Sequence, residues 1–113
     1  MKIALKKIKI ADIEIIQSEL LKFLRHKIDN IAHCKDYQNY CNDIIIIDTL
    51  LSMFFMLRSK IELKKPTANI LLTPTQAVIL LFCCQWERED RTQEQRITML
   101  MVSNWLHEKL VNI

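Results

Sequence analysis

The residues best suited to bind a metal ion lie close together in the sequence. They are His26, His33, Cys34 and Cys41. Zinc takes four nitrogen or sulfur ligands at tetrahedral positions, and these ligands come as closely spaced pairs. His33 and Cys34 are adjacent, so on a helix they would point about 100° apart and would not share one ion. We therefore predict two exposed histidines, two incidental thiols and no metal site.

Asp48 is the carboxylate whose surroundings are the most unusual, because it interrupts an apolar run. A buried charge without a partner is costly, so such a residue is either paired or titrates abnormally. One interpretation is a perturbed acid in a pocket. The other, which we favour, places Asp48 on a narrow polar stripe with Ser52, facing water or Arg58. No nucleophile or base stands at helical spacing to complete a catalytic set. We predict that the protein is not an enzyme and has no catalytic residues.

A group of basic and amide side chains surrounds the start of the last predicted helix. It comprises Arg88, Arg91, Gln93, Gln95 and Arg96. In a helix-turn-helix, residues at this place read bases in the major groove. In such a complex the DNA phosphates would also face four acidic residues, whose negative charge opposes binding. These are Glu87, Glu89, Asp90 and Glu94. DNA binding through this segment is therefore disfavoured.

The chain contains no glycine. Phosphate-binding loops, dinucleotide fingerprints and nucleophile elbows all need glycine, because the backbone must adopt a positive φ or approach a ligand closely. These sites are excluded, and we predict no cofactor. Where the backbone must be left-handed, asparagine is the expected substitute. The candidates are Asn30, Asn39, Asn69 and Asn112.

Length and composition indicate one domain over residues 1–113, with half of the residues hydrophobic. No continuous apolar segment of the signal-peptide type occurs in the first ten residues. We therefore expect reduced thiols and a cytoplasmic protein. The longest apolar stretch, 44–57, is 14 residues long and includes Asp48. It suits a core helix and not a membrane span.

Apolar periodicity predicts a mainly all-α fold, a four-helix bundle with helices at about 12–32, 43–61, 74–87 and 93–111. Asp12 is the expected N-cap of the first helix. Thr73 with Gln76, and Thr92 with Gln95, have the spacing of capping boxes. The second and third helices are apolar around most of their circumference, which predicts that both are buried on most sides.

A weak internal similarity relates the first residues to the segment before the third helix. In both, a short apolar run precedes a capping residue and a helix. The pattern suggests, as a less favoured addition to the bundle, a short two-stranded ribbon formed by residues 3–10 and 69–72.

The last helix carries a second apolar stripe beside the one that faces the core. Its members are Ile97, Met101 and Trp105. Four helices offer too little inner surface for all this apolar area, and exposed apolar patches usually mark interfaces. The alternative is that the N-terminal segment covers the stripe. We predict a protein-interaction module that forms a homodimer or binds a partner protein, with these three residues in contact.

The net charge of +3 is modest, but the lysines are clustered. They suggest an alternative, a small nucleic-acid-binding accessory or regulatory protein that contacts phosphates electrostatically. The residues concerned would be Lys6, Lys7, Lys9, Lys64 and Lys65. A run of charge is more often a solvated face, so this is the second hypothesis.

Overall fold

The computed structural model describes residues 2–33 and 35–112 and places two strands and four helices along them. In chain order they are β1 (Ile3–Lys9), α1 (Ile10–Ile31), α2 (Tyr37–Glu62), β2 (Thr67–Leu72), α3 (Pro74–Gln85) and α4 (Gln93–Val111). The fold is mainly helical with a small antiparallel sheet. The predicted helical class and the predicted ribbon are both confirmed.

The first two helices begin earlier than the sequence suggested. α1 starts at Ile10, so Asp12 lies in its first turn and is not its N-cap, as we had predicted. The Asp12 carboxylate instead accepts a hydrogen bond from the Thr98 hydroxyl at 3.2 Å. α2 starts six residues before the predicted position, because the Asp36 side chain caps it by accepting the backbone N–H of Gln38 at 2.9 Å.

Both predicted capping boxes are present. The Thr73 hydroxyl oxygen accepts the backbone N–H of Gln76 at 3.1 Å, and the Gln76 side-chain oxygen accepts that of Thr73 at 2.9 Å. Thr92 and Gln95 repeat the arrangement with the same two distances. Each box satisfies two N–H groups that a helix start leaves unpaired, so α3 and α4 begin at the predicted residues.

β1 and β2 pair antiparallel, with Ile3 opposite Leu72 and Lys9 opposite Thr67. The register shifts by one residue between Leu5 and Ile8. Strand residues two apart share a face, so without the shift Ile8 would point away from the face of Ile3 and Leu5. The bulge corrects this phase, and all three side chains are buried.

Lysines, not asparagines, occupy the left-handed positions of the described chain. Lys7, inside the bulge, and Lys64, after α2, both have φ of 55°. Asn69 supports the first of them through its side chain, since its oxygen accepts the backbone N–H of Lys7 at 2.9 Å. The four asparagines named from the sequence do not have positive φ, so that prediction was wrong.

One buried cluster joins all six elements. α1 packs chiefly on α2, and α3 packs chiefly on α4. Burial of each large aliphatic side chain contributes about 1.5–3 kcal/mol before chain entropy is counted. The most enclosed members from the six elements include Ile8, Ile16, Leu50, Ile70, Leu80 and Val102.

α2 is not buried on most sides, contrary to the prediction. Its buried residues are Leu50, Met53 and Leu57, which lie on one side of the helix. The opposite side stays exposed although it is rich in large apolar residues. α3 comes closer to the expected central helix, but its Phe82 side chain is half exposed.

Candidate functional site

α4 places the three predicted contact residues in two different surroundings. Ile97 is 61% exposed, and its neighbour Leu100 is 63% exposed. Met101 and Trp105 are half-buried. Trp105 packs against the core. Only the N-terminal part of the stripe is therefore freely accessible, and Leu100 belongs to it although the sequence pattern did not single it out.

A depression of about 360 Å³ lies where α4 meets β1. Trp105 lines it together with Ala4, Leu5 and Lys6. The N-terminal strand therefore lies beside the C-terminal end of the predicted contact stripe. Ile97 does not line this depression.

The largest set of exposed apolar side chains belongs to α2. We call it the α2 outer face, and it comprises Tyr37, Tyr40, Ile44, Leu51 and Phe55, whose exposed fractions range from 39% to 81%. Residues 37, 44 and 51 are seven apart and residue 55 is four further on, so all of them fall on one side of the helix. The ring of Phe55 is supported by an edge-on contact with Phe54, with ring centroids 5.7 Å apart.

Asp48 is exposed and interrupts the α2 outer face between Ile44 and Leu51. Asp48 is thus in contact with water, as the favoured interpretation expects, although its neighbours Ile44 and Leu51 on the helix surface are apolar. Arg58 is not its partner in the described chain. The Arg58 guanidinium forms an ion pair with Glu62 at 3.1 Å, one helical turn further on.

Two of the three arginines near α4 bind partners inside the protein. Arg91 is buried, and its Nε donates to the Glu19 carboxylate at 2.6 Å. Its two terminal nitrogens donate to the backbone carbonyls of Cys83 and Cys84, at 2.7 and 3.0 Å. With its donors pointing inward, Arg91 cannot read bases.

Arg88 completes the same buried cluster. It forms an ion pair with the second oxygen of Glu19, and its guanidinium lies 5.0 Å from the centre of the Trp86 ring. Arg96 donates to Glu87 at 3.2 Å and to the backbone carbonyl of Arg88 at 2.8 Å. Arg88 and Arg91 are therefore bound within the protein, whereas Arg96 pairs with Glu87 at the surface.

Sequence reasoning missed Glu19, the carboxylate at the centre of this cluster. Its side chain has no exposed surface, although α1 is otherwise polar on the side away from the core. A usable signal was present, because Glu19 lies three residues after Ile16 and four before Phe23, within the apolar row of α1. A carboxylate at such a position needs a buried cationic partner.

The histidines and cysteines do not gather in the described part of the chain. Over residues 2–33 and 35–112, no three His, Cys, Asp or Glu side chains lie close enough to hold a metal ion. His26 stacks on Trp86, with ring centroids 4.8 Å apart, and His33 is exposed. Cys34 lies outside the described residues.

Burial controls the chemistry of the adjacent thiols in α3. Desolvation raises the pKa of Cys84 to about 12, partly offset by the positive charge of Arg91. Desolvation, together with Cys84 itself, raises the pKa of Cys83 even further above its ordinary value. Because the thiolate is the nucleophile, both side chains behave as small apolar groups at neutral pH.

The lysines named from the sequence separate into two locations. Lys7 and Lys65 line one depression of about 390 Å³, which we call the lysine depression, and Lys60 joins them from the last turns of α2. Its lining also includes Leu63, Thr67 and Asn69. Lys6 instead lines the depression beside Trp105. Lys9 is paired with Thr67 across the ribbon, and Lys64 is exposed between two lining residues.

These features define a mainly helical protein with a small antiparallel ribbon, one exposed apolar helix face and one depression lined by lysines. The chain matches no protein-family profile, no curated protein and no solved structure. Of the helices in the described residues, none has the length and apolar content needed to cross a membrane.

Proposed function

We propose that this chain is a four-helix bundle that acts as a non-enzymatic protein-interaction module, and that it forms a homodimer through the α2 outer face. The observation that carries the proposal is the alignment of five large apolar side chains on the exposed side of one helix. Contiguous apolar surface of this kind on a water-soluble chain usually marks an interface.

The extent of the α2 outer face supports an interface. With 26 residues, α2 is about 39 Å long, and the exposed apolar residues run from its first residue, Tyr37, to Phe55. Scattered single apolar residues need no explanation, but a row repeated at helical spacing does. The opposite side of α2 already supplies the core through Leu50, Met53 and Leu57, so internal packing does not require this row.

The composition of the α2 outer face also favours a protein partner. Two tyrosines and a phenylalanine supply large contact area, and aromatic residues are enriched in interface cores. Two copies of one helix face are self-complementary about a twofold axis, the commonest symmetry of soluble oligomers. Asp48 would lie within such a contact. Its carboxylate would then need a polar partner or bound water there, because a buried charge without a partner is costly.

Ile97, Met101 and Trp105 remain a second proposed contact surface. Ile97 and Leu100 are its accessible part, while β1 lies beside Trp105. This surface is shorter than the α2 outer face and is suited to a smaller contact. We therefore rank it second.

The proposal that the protein is not an enzyme is supported by how its reactive groups are used. The arginines and the buried carboxylate bind one another, as Arg91 and Glu19 do at 2.6 Å. The adjacent thiols have raised pKa values that suppress nucleophilic attack. Asp48, the acid that the sequence raised as a catalytic candidate, is exposed on a helix surface.

Sedimentation velocity over a range of micromolar concentrations tests the homodimer. We expect the unmodified chain to sediment as a dimer, and the double variant Ile44→Glu with Phe55→Glu to sediment as a monomer with unchanged helical circular dichroism. Charges introduced into a buried apolar contact are costly, whereas on an exposed face they are tolerated.

The matched control is Ile97→Glu with Leu100→Glu, which alters two apolar residues on α4 that are more exposed than Ile44 and Phe55. This variant should remain dimeric. If it dissociates and the α2 variant does not, the contact lies on α4 and the assignment to α2 is wrong. A chain that stays monomeric throughout the concentration range overturns self-association.

A further inference from the structure

We propose that the lysine depression binds a compact, multiply phosphorylated small molecule. Lys7 reaches it from β1, Lys60 from α2 and Lys65 from the loop before β2. Lysines from a strand, a helix and a loop thus line one depression of about 390 Å³, a volume within the range of small-ligand pockets.

The charge of the depression is uncompensated. Within residues 2–33 and 35–112, no carboxylate lines it and none of its three lysines forms an ion pair. Glu62, the acid nearest in sequence, is bound to Arg58. Charges of one sign around a concave surface raise the local concentration of the opposite ion, so this arrangement favours an anion.

The backbone around the depression is held in an unusual conformation. In the described chain, positive φ occurs only at Lys7 and Lys64, and Lys64 lies directly between the lining residues Leu63 and Lys65. A left-handed conformation costs an L-residue about 1–2 kcal/mol. The bulge that keeps Ile8 in the core accounts for this conformation at Lys7, and the end of α2 at Leu63 accounts for it at Lys64. The two conformations therefore set the backbone path beside the depression and are not themselves evidence of a ligand.

Polar groups that could complete a phosphate site are also present. Thr67 and Asn69 line the depression and can donate hydrogen bonds through their hydroxyl and amide groups. Lysine binds phosphate as a compact point charge, which suits a cluster of oxygens with several negative charges. An alternative role for lysines on a strand is to protect the sheet edge from pairing with another strand. That role does not explain Lys60 and Lys65, because both lie outside the strands.

The arrangement favours a compact ligand over an extended nucleic acid. A nucleic-acid surface presents its lysines as a patch or stripe along one face. Here Lys6 lines a different depression, beside Trp105, so the lysines of the N-terminus do not continue the cluster as a track. The three lysines of the lysine depression instead line one cavity.

Calorimetric titration with tripolyphosphate and with inorganic phosphate at low ionic strength tests the proposal. We expect tripolyphosphate to bind one site per chain at least about tenfold more tightly than inorganic phosphate, because more negative charge meets the same lysines. The variant Lys7→Asn, Lys60→Gln, Lys65→Gln should weaken tripolyphosphate by about tenfold or more. Asparagine is chosen at position 7 because it tolerates the left-handed conformation.

The control variant Lys22→Gln, Lys35→Gln, Lys109→Gln removes the same total charge away from the depression and should bind tripolyphosphate nearly as well as the unmodified chain. Urea unfolding of each variant verifies that it is folded. Equal weakening by the two triple variants would mean attraction by net charge alone and would overturn the site. So would a failure of tripolyphosphate to bind.

A mixed-sequence single-stranded oligonucleotide separates the two kinds of phosphate ligand. We expect tripolyphosphate to displace it. If the oligonucleotide binds more tightly than tripolyphosphate and resists displacement, the lysines contact a nucleic-acid backbone and the small-molecule proposal is wrong.

Discussion

Arg91 and Glu19 lie 72 positions apart in sequence, yet the Arg91 Nε is 2.6 Å from a Glu19 carboxylate oxygen inside the core. This contact ties α1 to the segment between α3 and α4. Arg91 also binds the carbonyls at the end of α3, so one guanidinium joins three parts of the chain. Arg88 binds the other carboxylate oxygen of Glu19.

Replacing the buried carboxylate should be strongly destabilising. Glu19→Gln keeps the shape of the side chain but leaves the Arg91 and Arg88 cations without an anion in the core. Removal of one partner of a buried ion pair costs about 3–5 kcal/mol. Urea unfolding at pH 7 measures the loss in the free energy of unfolding.

Glu14→Gln is the matched control, because it makes the same change on an exposed position of α1. It should alter the free energy of unfolding by less than about 0.5 kcal/mol. If the two variants were equally stable, the Glu19 cluster would contribute nothing beyond what an amide provides.

The sequence predicted those parts of the fold that depend on local rules. The capping boxes at Thr73 and Thr92 set the starts of α3 and α4, and short-range hydrogen bonds suffice to define them. The start of α2 was predicted too late. The residues after its cap, Asp36, are rich in turn-forming types and show no apolar periodicity, so they did not indicate a helix.

Features that depend on tertiary neighbours could not be read in this way. The apolar circumference of α2 suggested burial on most sides, but periodicity cannot say whether a second chain or water covers the outer half. The partners of Glu19 come from a distant segment, so their identity needed the fold. The lysine depression likewise forms from a strand, a helix and a loop, so the lysine clusters at the N-terminus and around 60–65 could be read from the sequence but their meeting at one depression could not.

The helix caps give a prediction of moderate size. Thr92→Ala removes the hydroxyl that accepts the N–H of Gln95 and should lower the free energy of unfolding by about 1 kcal/mol. Thr75→Ala, in the first turn of α3, removes an exposed hydroxyl that does not serve as the cap and is the control. Urea midpoints of the two variants measure the difference, and equal midpoints would argue against the cap.

The left-handed lysine after α2 gives a prediction of opposite sign. Lys64→Gly should raise the free energy of unfolding by about 0.5–1 kcal/mol. Glycine adopts positive φ without the steric cost that lysine has, and this gain is larger than the conformational entropy that glycine loses on folding. Lys65→Gly, one residue later and without positive φ, should lower it. Thermal or urea unfolding of both variants checks this, and stabilisation by Lys65→Gly alone would contradict it.

Burial also predicts how the thiols react. Iodoacetamide at pH 8 should label the half-buried Cys41 at least about tenfold faster than Cys83 or Cys84, since only an accessible thiolate reacts. Peptide mapping by mass spectrometry follows each residue separately. Addition of denaturant should abolish the difference, and comparable rates in the folded protein would show that α3 opens readily.

The raised thiol pKa values make stability depend on pH in the alkaline range. Between the ordinary thiol pKa of 9.0 and the folded value of about 12 for Cys84, the unfolded chain releases thiol protons that the folded chain retains. The folded state then binds more protons, so this contribution is fully present below pH 9 and is lost as pH rises toward 12.

Cys83→Ala with Cys84→Ala should therefore show a smaller loss of unfolding free energy between pH 8 and about pH 10.5 than the unmodified chain. Comparing the change with pH, and not the absolute stability, separates titration from the cavities that the alanines leave. Equal changes in the two proteins would mean that the thiols do not contribute to alkaline unfolding.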